Sequence, residues 1–206
     1  LLLLLLALNL GSDYGFTSGL VLAMFAGAAV FTVMFITVEL RSPQPMLDLR
    51  LFRNDVLAIN LITGLTTFIS IAGTVFLMPF YLTNMRQVPP EMLGWLLIIH
   101  PAAMGVTAPF AGRLSDRFGS RLITTLGMIV LVIGYLLVRT LGETTPILMF
   151  VLVFLPIGIG MGLFQSPNNS AIMGTAPPER LGITSGLISV TRTTGQITGI
   201  ALLTTI

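Results

Sequence analysis

Three of the chain's ten arginines fall within ten residues, Gly112-Arg113-Leu114-Ser115-Asp116-Arg117-Phe118-Gly119-Ser120-Arg121, together with one aspartate and two glycines. Cations gathered about a carboxylate suit ion pairing and charge-assisted hydrogen bonding rather than bond making. A second constellation, Thr191, Arg192, Thr193, Thr194, Gln196 and Thr198, lies inside an apolar stretch, with Arg192 and Gln196 four residues apart and so on one helix face. A guanidinium near mid-membrane costs at least ~2.5 kcal/mol, so Arg192 needs either an ion-pair or carbonyl partner between helices or a wet cavity that binds substrate. Gln165, Ser166, Asn168, Asn169 and Ser170 form a third group at the end of another apolar stretch. His100, the only histidine, precedes Pro101 midway along a further one. Its imidazole titrates near neutral pH and suits a proton relay, or packing and hydrogen bonding alone.

No catalytic set accompanies these residues. Gly-x-Ser-x-Gly, H-E-x-x-H and G-K-[ST] are all missing, so a hydrolase elbow, a zinc helix and a phosphate loop are not expected. Without cysteine there is no disulfide, thiolate metal site or Cys nucleophile, and one histidine cannot make a multi-His site. Gly158-x-Gly160-x-Gly162 lacks the third spacing and the preceding strand of a dinucleotide fingerprint. No catalytic residue, metal or cofactor is therefore expected.

The elements that must position these groups are membrane spans. The chain is 54% hydrophobic and only 9% charged, with mean hydropathy +0.97. A soluble domain carries roughly 25% charged residues, and this chain could not cover a water-facing surface. At so low a charge density, the net charge of +2 and pI near 9.7 are no sign of a nucleic-acid partner. Polar or breaker-rich breaks fall at Gly11–Phe16, Glu39–Asp55, Thr83–Glu91, Arg113–Arg121, Gly142–Pro146 and Gly174–Leu181. The apolar stretches between them, about 17–38, 56–82, 92–112, 122–141, 147–173 and 182–206, are each long enough to cross a bilayer as a helix. Their continuity, without period-2 alternation, argues against a barrel. The chain opens on Leu1–Leu6 without a Met and closes inside an apolar stretch, so it reads as a fragment with six spans and the end of a seventh.

Alternating the breaks puts Arg41, Arg50, Arg53, Arg113, Arg117, Arg121 and Arg180 on one side and Arg86 and Arg139 on the other. The arginine-rich side is cytoplasmic, since positive charge in short loops stays inside. The 39–55, 113–121 and 174–181 loops are then cytoplasmic, and the 11–16, 83–91 and 142–146 loops face outward. Residues 39–55 read as a connector whose Met46, Leu47, Leu49, Leu51 and Phe52 could lie on the membrane surface beside Arg50 and Arg53. Within the spans, Gly182/Gly186 and Gly195/Gly199 are small-x-x-x-small pairs, suited to helices that slide or to static close packing. Pro79, Pro101, Pro109, Pro156 and Pro167 would kink their helices, as the wall of a cavity requires.

The arginine-rich hinge, written Gly112-x-x-x-Asp116-Arg117-x-Gly119-x-Arg121, resembles the loop signature of the major facilitator superfamily. Pro79-Phe80-Tyr81-Leu82 with Gly94 and His100-Pro101 narrows the resemblance to the drug:proton antiporter branch with fourteen spans. So do Glu39-Leu40-Arg41 through Leu47-Asp48-Leu49-Arg50-Leu51-Phe52-Arg53, and Ser166-Pro167-Asn168 through Pro178-Glu179-Arg180, Gly182, Ser185-Gly186, Arg192 and Gly195. Ser120 and His100 depart from the usual pattern. The resemblance implies an all-α polytopic helical bundle working by alternating access. Residues 1–38 would hold the end of one span and one full span, both extra central helices. Residues 39–55 would form the cytoplasmic connector, and 56–206 most of the C-terminal bundle.

It further implies a cell-membrane exporter of lipophilic drug-like compounds in exchange for protons, monomeric at full length, with lipid and a small-molecule substrate as its partners. Gly112, Asp116, Arg117, Gly119 and Arg121 would form a cytoplasmic gate, Asp116 sitting where a helix begins and accepting backbone N–H groups. Pro79, His100, Gln165, Asn168, Arg192 and Gln196 would line the cavity. The alternatives are an importer or facilitator of a sugar or organic anion in the same superfamily, and a membrane-embedded enzyme or non-transporting scaffold. The enzyme would need paired intramembrane carboxylates, and no Asp or Glu occupies the centre of a span.

Overall fold

The computed structural model describes residues 3, 6, 7, 10, 11, 15, 17–41 and 54–204. Most of the 39–55 connector and its interfacial segment, and most of the opening span end, lie outside the described residues. The described chain is helical, with no strand: α1 (Gly19–Arg41), α2 (Asp55–Phe80) continued by a π-turn (Tyr81–Met85), α3 (Pro90–Leu97), α4 (Ile99–Phe118), α5 (Ser120–Val138), α6 (Ile147–Met173), a 3-10 turn (Pro178–Arg180) and α7 (Leu181–Thr204). Among the described residues, five segments are long and apolar enough to span: Gly19–Val38, Asp55–Met85, Pro90–Phe118, Ser120–Val138 and Ile147–Met173. The 24-residue α7 has the length for a sixth, but its serines, threonines, Arg192 and Gln196 make it more polar. The all-helical membrane bundle expected from the sequence is the one found.

The helix ends have local causes. Asn54 caps α2, its Oδ1 accepting from the N–H groups of Val56 at 3.0 Å and Leu57 at 3.4 Å. Pro90 opens α3, where its missing N–H costs nothing. Inside α2, the hydroxyls of Thr63, Thr66 and Thr67 donate to carbonyls one turn back, which satisfies polar groups without a partner helix. The π-turn corrects the expected break at Thr83. Arg86 N–H donates to the Tyr81 carbonyl five residues back at 3.1 Å, so the helix widens and runs on to Met85.

The chain divides into two compact units, residues 74–175 and residues 1–73 with 176–206. In the first, α6 packs against both α4 and α5, and glycine sets the distance. A Cβ on Gly158 would fall 2.6 Å from the His100 carbonyl and one on Gly162 2.9 Å from that of Met104, while one on Gly160 would fall 2.8 Å from the Leu131 nitrogen. The Gly-x-Gly-x-Gly run thus alternates partners: Gly158 and Gly162 meet α4, Gly160 meets α5. Gly127 and Gly134 of α5 answer in kind, against the backbone of Leu163–Phe164 and of Ile157. Contact positions rise together along α4 and α6, so these two helices run parallel, with α5 antiparallel to α6. At one end Met78, Leu82, Val88, Leu96, Phe150, Val153 and Phe154 close a buried apolar cluster. Phe150 and Phe154 stack there with centroids 4.4 Å apart.

In the second unit one of the two small-x-x-x-small pairs makes a close contact. Gly195 and Gly199 of α7 lie against the Leu65–Ile69 backbone of α2, whereas a Cβ on Gly182 or Gly186 would meet nothing within 4 Å. Around α1, Leu20, Leu22, Val30, Phe31, Val33 and Met34 are exposed, a surface that only acyl chains or further helices can solvate.

Gly160→Ala is expected to destabilise the full-length protein in detergent by about 1–3 kcal/mol, because the added methyl meets backbone that cannot turn aside. Gly94→Ala, whose Cβ meets nothing within 4 Å, should leave thermal stability unchanged or slightly raised. Equal melting temperatures for the two variants would refute the close-packing account.

Candidate functional site

The arginine-rich segment is not a ten-residue loop. Helix α4 runs on through Arg113, Ser115, Asp116 and Arg117 to Phe118, and α5 starts at Ser120, so Gly119 alone separates them. Arginine, leucine and phenylalanine have no reason to leave a helix, and one residue with φ +89° and ψ 145° turns the chain. L side chains rarely adopt that conformation, which is why position 119 holds glycine. Its N–H donates to the Ser115 carbonyl at 2.8 Å and closes α4.

This reverses the expected setting of Asp116. Instead of beginning a helix, its carboxylate lies in the last turn of one, where unpaired carbonyls already make the end negative. Arg117 in the same turn complements that end, and its guanidinium lies 5.3 Å from the Phe118 ring centre. Asp116, Arg117, Gly119 and Arg121 are exposed together at one end of the helix pair, while Ser115 beside them is buried. Among the described residues, Asp116 forms no ion pair. Gly112 is less constrained than Gly119, since a Cβ there would lie 3.6 Å from Ser166 Oγ, an ordinary contact.

The expected cavity residues fall into both units. In residues 74–175, Pro79 and Gln165 are half-buried, His100 is 8% exposed and Asn168 only 2%. His100 Nδ1 and Asn168 Oδ1 are buried without hydrogen-bond partners. They do not share one site. His100 is level with Gly158, and Asn168 follows ten residues on, about 15 Å along α6 at 1.5 Å per residue. A buried polar atom without a partner costs about 1–3 kcal/mol, so both mark places where a donor, acceptor or water is wanted. In the other unit, Arg192 and Gln196 are exposed on α7, beside the buried Gly195 and Gly199 that face α2.

A second cluster of polar contacts was missed by sequence reasoning, at the opposite ends of these helices. Tyr81 OH donates to the Gly142 carbonyl at 2.9 Å, and Arg86 donates to the Glu143 carbonyl. Thr145 Oγ1 accepts from Gly142 N–H at 2.7 Å within the same turn. Gln87, with φ +51°, carries the chain between π-turn and α3. The only sequence signal was Arg86 itself, an arginine on the side where arginine is scarce. It had counted only towards topology.

The family described as Major Facilitator Superfamily matches residues 1–200. The chain is 32% identical over 193 residues to multidrug resistance protein Stp of Mycobacterium tuberculosis, covering 94% of this chain and 36% of that protein. It is 34% identical over 207 residues to the tetracycline resistance determinant of Streptomyces rimosus, covering 97% and 58%. It is 30% identical over 165 residues to riboflavin transporter RibZ of Clostridioides difficile, covering 80% and 36%. The chain thus spans between about a third and three-fifths of the length of these relatives.

The two glycines of the hinge should separate in experiment. Gly119→Ala forces a side chain into φ +89° and is expected to cost about 1–3 kcal/mol, read as a lower melting temperature of the full-length protein. Gly112→Ala should be close to neutral. A neutral Gly119→Ala would show that the turn has another cause.

Proposed function

The chain belongs to the major facilitator superfamily, and on that premise we propose that it is part of a transporter that exports lipophilic drug-like compounds in exchange for protons. The observation that carries this is the likeness, over more than nine-tenths of the chain, to two proteins named for drug resistance. It is a multi-pass cell-membrane protein, and the substrate is a small molecule. Catalysis by bond making has no support in its residues.

In this reading the exposed charges at the α4–α5 turn work as a cytoplasmic gate. Asp116 at a helix C-terminus is ill placed by itself, and a cation brought to it in one state of the transport cycle would relieve it. Such a contact, made in one state and broken in the other, biases a two-state equilibrium as alternating access requires. Pro79, His100, Gln165 and Asn168, at different depths within unit 74–175, and Arg192 and Gln196 within the other unit are candidates for contact with the substrate. Arg192 and Gln196 share an exposed α7 face, where a guanidinium within the bilayer needs water, a carboxylate or a substrate anion. The relative named as a riboflavin transporter favours one second reading, movement of a polar or anionic nutrient, with Arg192 meeting its negative charge.

Full-length protein in everted membrane vesicles tests these roles. Accumulation of a lipophilic fluorescent cation should need a proton gradient and stop on addition of an uncoupler. Uncoupler-insensitive accumulation would remove proton exchange. Asp116→Asn should lose transport while membrane insertion is retained, and unchanged transport removes the gate. Arg192→Ala should change substrate range or coupling; a drop in abundance alone would make Arg192 structural.

A further inference from the structure

Where α2 ends in its π-turn and α5 ends, unit 74–175 carries an open groove of about 440 Å³. Leu77, Phe80, Met85, Val138 and Leu141 line it, and Asn84 adds one amide. Leu77, Phe80 and Met85 are between 42% and 52% exposed, so an apolar trough lies uncovered at the end of a span. The π-turn contributes to it, since Asn84 and Met85 both sit in the widened turn. Turns of this kind recur at functional sites.

Charge identifies the occupant. Met85 is followed directly by Arg86, and Val138 directly by Arg139. These are the two arginines that the charge count places on the outer side, and both stand at the end of a groove-lining segment. Arg86 is held in position by its hydrogen bond to the Glu143 carbonyl, and Arg139 is exposed in the turn after α5. Two arginines, each directly following a groove-lining residue at a helix end, match a molecule with a phosphate at headgroup depth and a hydrocarbon tail below it. A lipophilic cation would meet like charge there, and a further apolar helix would have to pass both arginines. Glu143, exposed in the same turn, disfavours a dense polyanion and leaves room for a single phosphodiester.

We propose that this groove is a phospholipid site, in which one acyl chain lies along Leu77, Phe80, Met85, Val138 and Leu141 while Arg86 and Arg139 hold the phosphate. The proposal needs only the membrane-spanning fold and is independent of drug or proton transport.

The test is native mass spectrometry of the full-length protein in detergent with dioleoyl phosphatidylglycerol added. Wild type should retain a tightly bound phosphatidylglycerol, and Arg86→Gln with Arg139→Gln should weaken it about tenfold or more, as loss of charge-assisted hydrogen bonds implies. Leu141→Trp, which fills the trough but keeps both arginines, should weaken it comparably. Glycerol phosphate at equal concentration should not displace the lipid, because it has no tail for the groove. Equal retention by wild type and the arginine variant overturns the proposal, and is the result expected if another helix covers the groove. Retention by Leu141→Trp, or displacement by glycerol phosphate, overturns it as well. Should Leu141→Trp fail to fold, the arginine pair, which lies outside the apolar cluster, still decides.

Discussion

Lipid gives apolar helices no reason to leave it for one another, and this chain answers with backbone contact. Along α6, glycines at 158, 160 and 162 bring two neighbouring helices so near that a methyl group would fall within 3 Å of backbone atoms. Dispersion over that length of contact is what holds such helices together. The rest of unit 74–175 depends on it. Gly158 and Gly162 fix α4 parallel to α6, Gly160 with Gly127 and Gly134 fixes α5 antiparallel, and the single-residue turn at Gly119 follows from those directions. The same contact puts the charged turn at one end of the helices and the Phe150–Phe154 cluster at the other.

Close packing of this kind also limits how the protein can move. Interlocked backbones cannot slide by fractions of a turn without collision, so α4, α5 and α6 form a body rather than a bearing. The glycines at 127, 134, 158, 160, 162, 195 and 199 make close backbone approaches, while 182 and 186 remain uncovered within the described residues. Two side-chain atoms buried inside the body without a hydrogen-bond partner, His100 Nδ1 and Asn168 Oδ1, are exceptions to its economy. Threonine hydroxyls in the spans, by contrast, bond back to their own helix. These two do not, and at 92% and 98% burial they have little access to bulk water.

Opposite ends of the helices solve opposite electrostatic problems. At the arginine-rich end, cations surround a helix terminus that is already negative, so charge is concentrated and left available. At the other end cations are few, and Arg86 donates to the Glu143 carbonyl while Tyr81 donates to that of Gly142 beside it. Main-chain carbonyls in a turn are natural acceptors for a guanidinium or a phenol, and these bonds join the π-turn to the turn before α6.

Hydropathy and charge count were enough, from the sequence by itself, for the helical class, the membrane spans and the alternation of arginine between the two sides, because burial in lipid tolerates no other pattern. The loop's residue types, the polar clusters inside spans and the family resemblance singled out Gly119, Asp116, Asn168 and Arg192 as residues with more chemistry than a span requires. Only the tertiary structure decided what those residues are placed to do. Glycine spacing alone could not say which partner each glycine meets, since alternate members of one run face different helices. The length of the Arg113–Arg121 segment suggested a loop, but helix continuity depends on backbone torsion, and one left-handed glycine suffices to turn the chain. Arg86 and Tyr81 gave no local sign of their partners, because Gly142 and Glu143 lie about sixty residues on and offer only main-chain oxygens. Contacts made through backbone atoms leave no residue type to read, and they are the ones that hold these helices together.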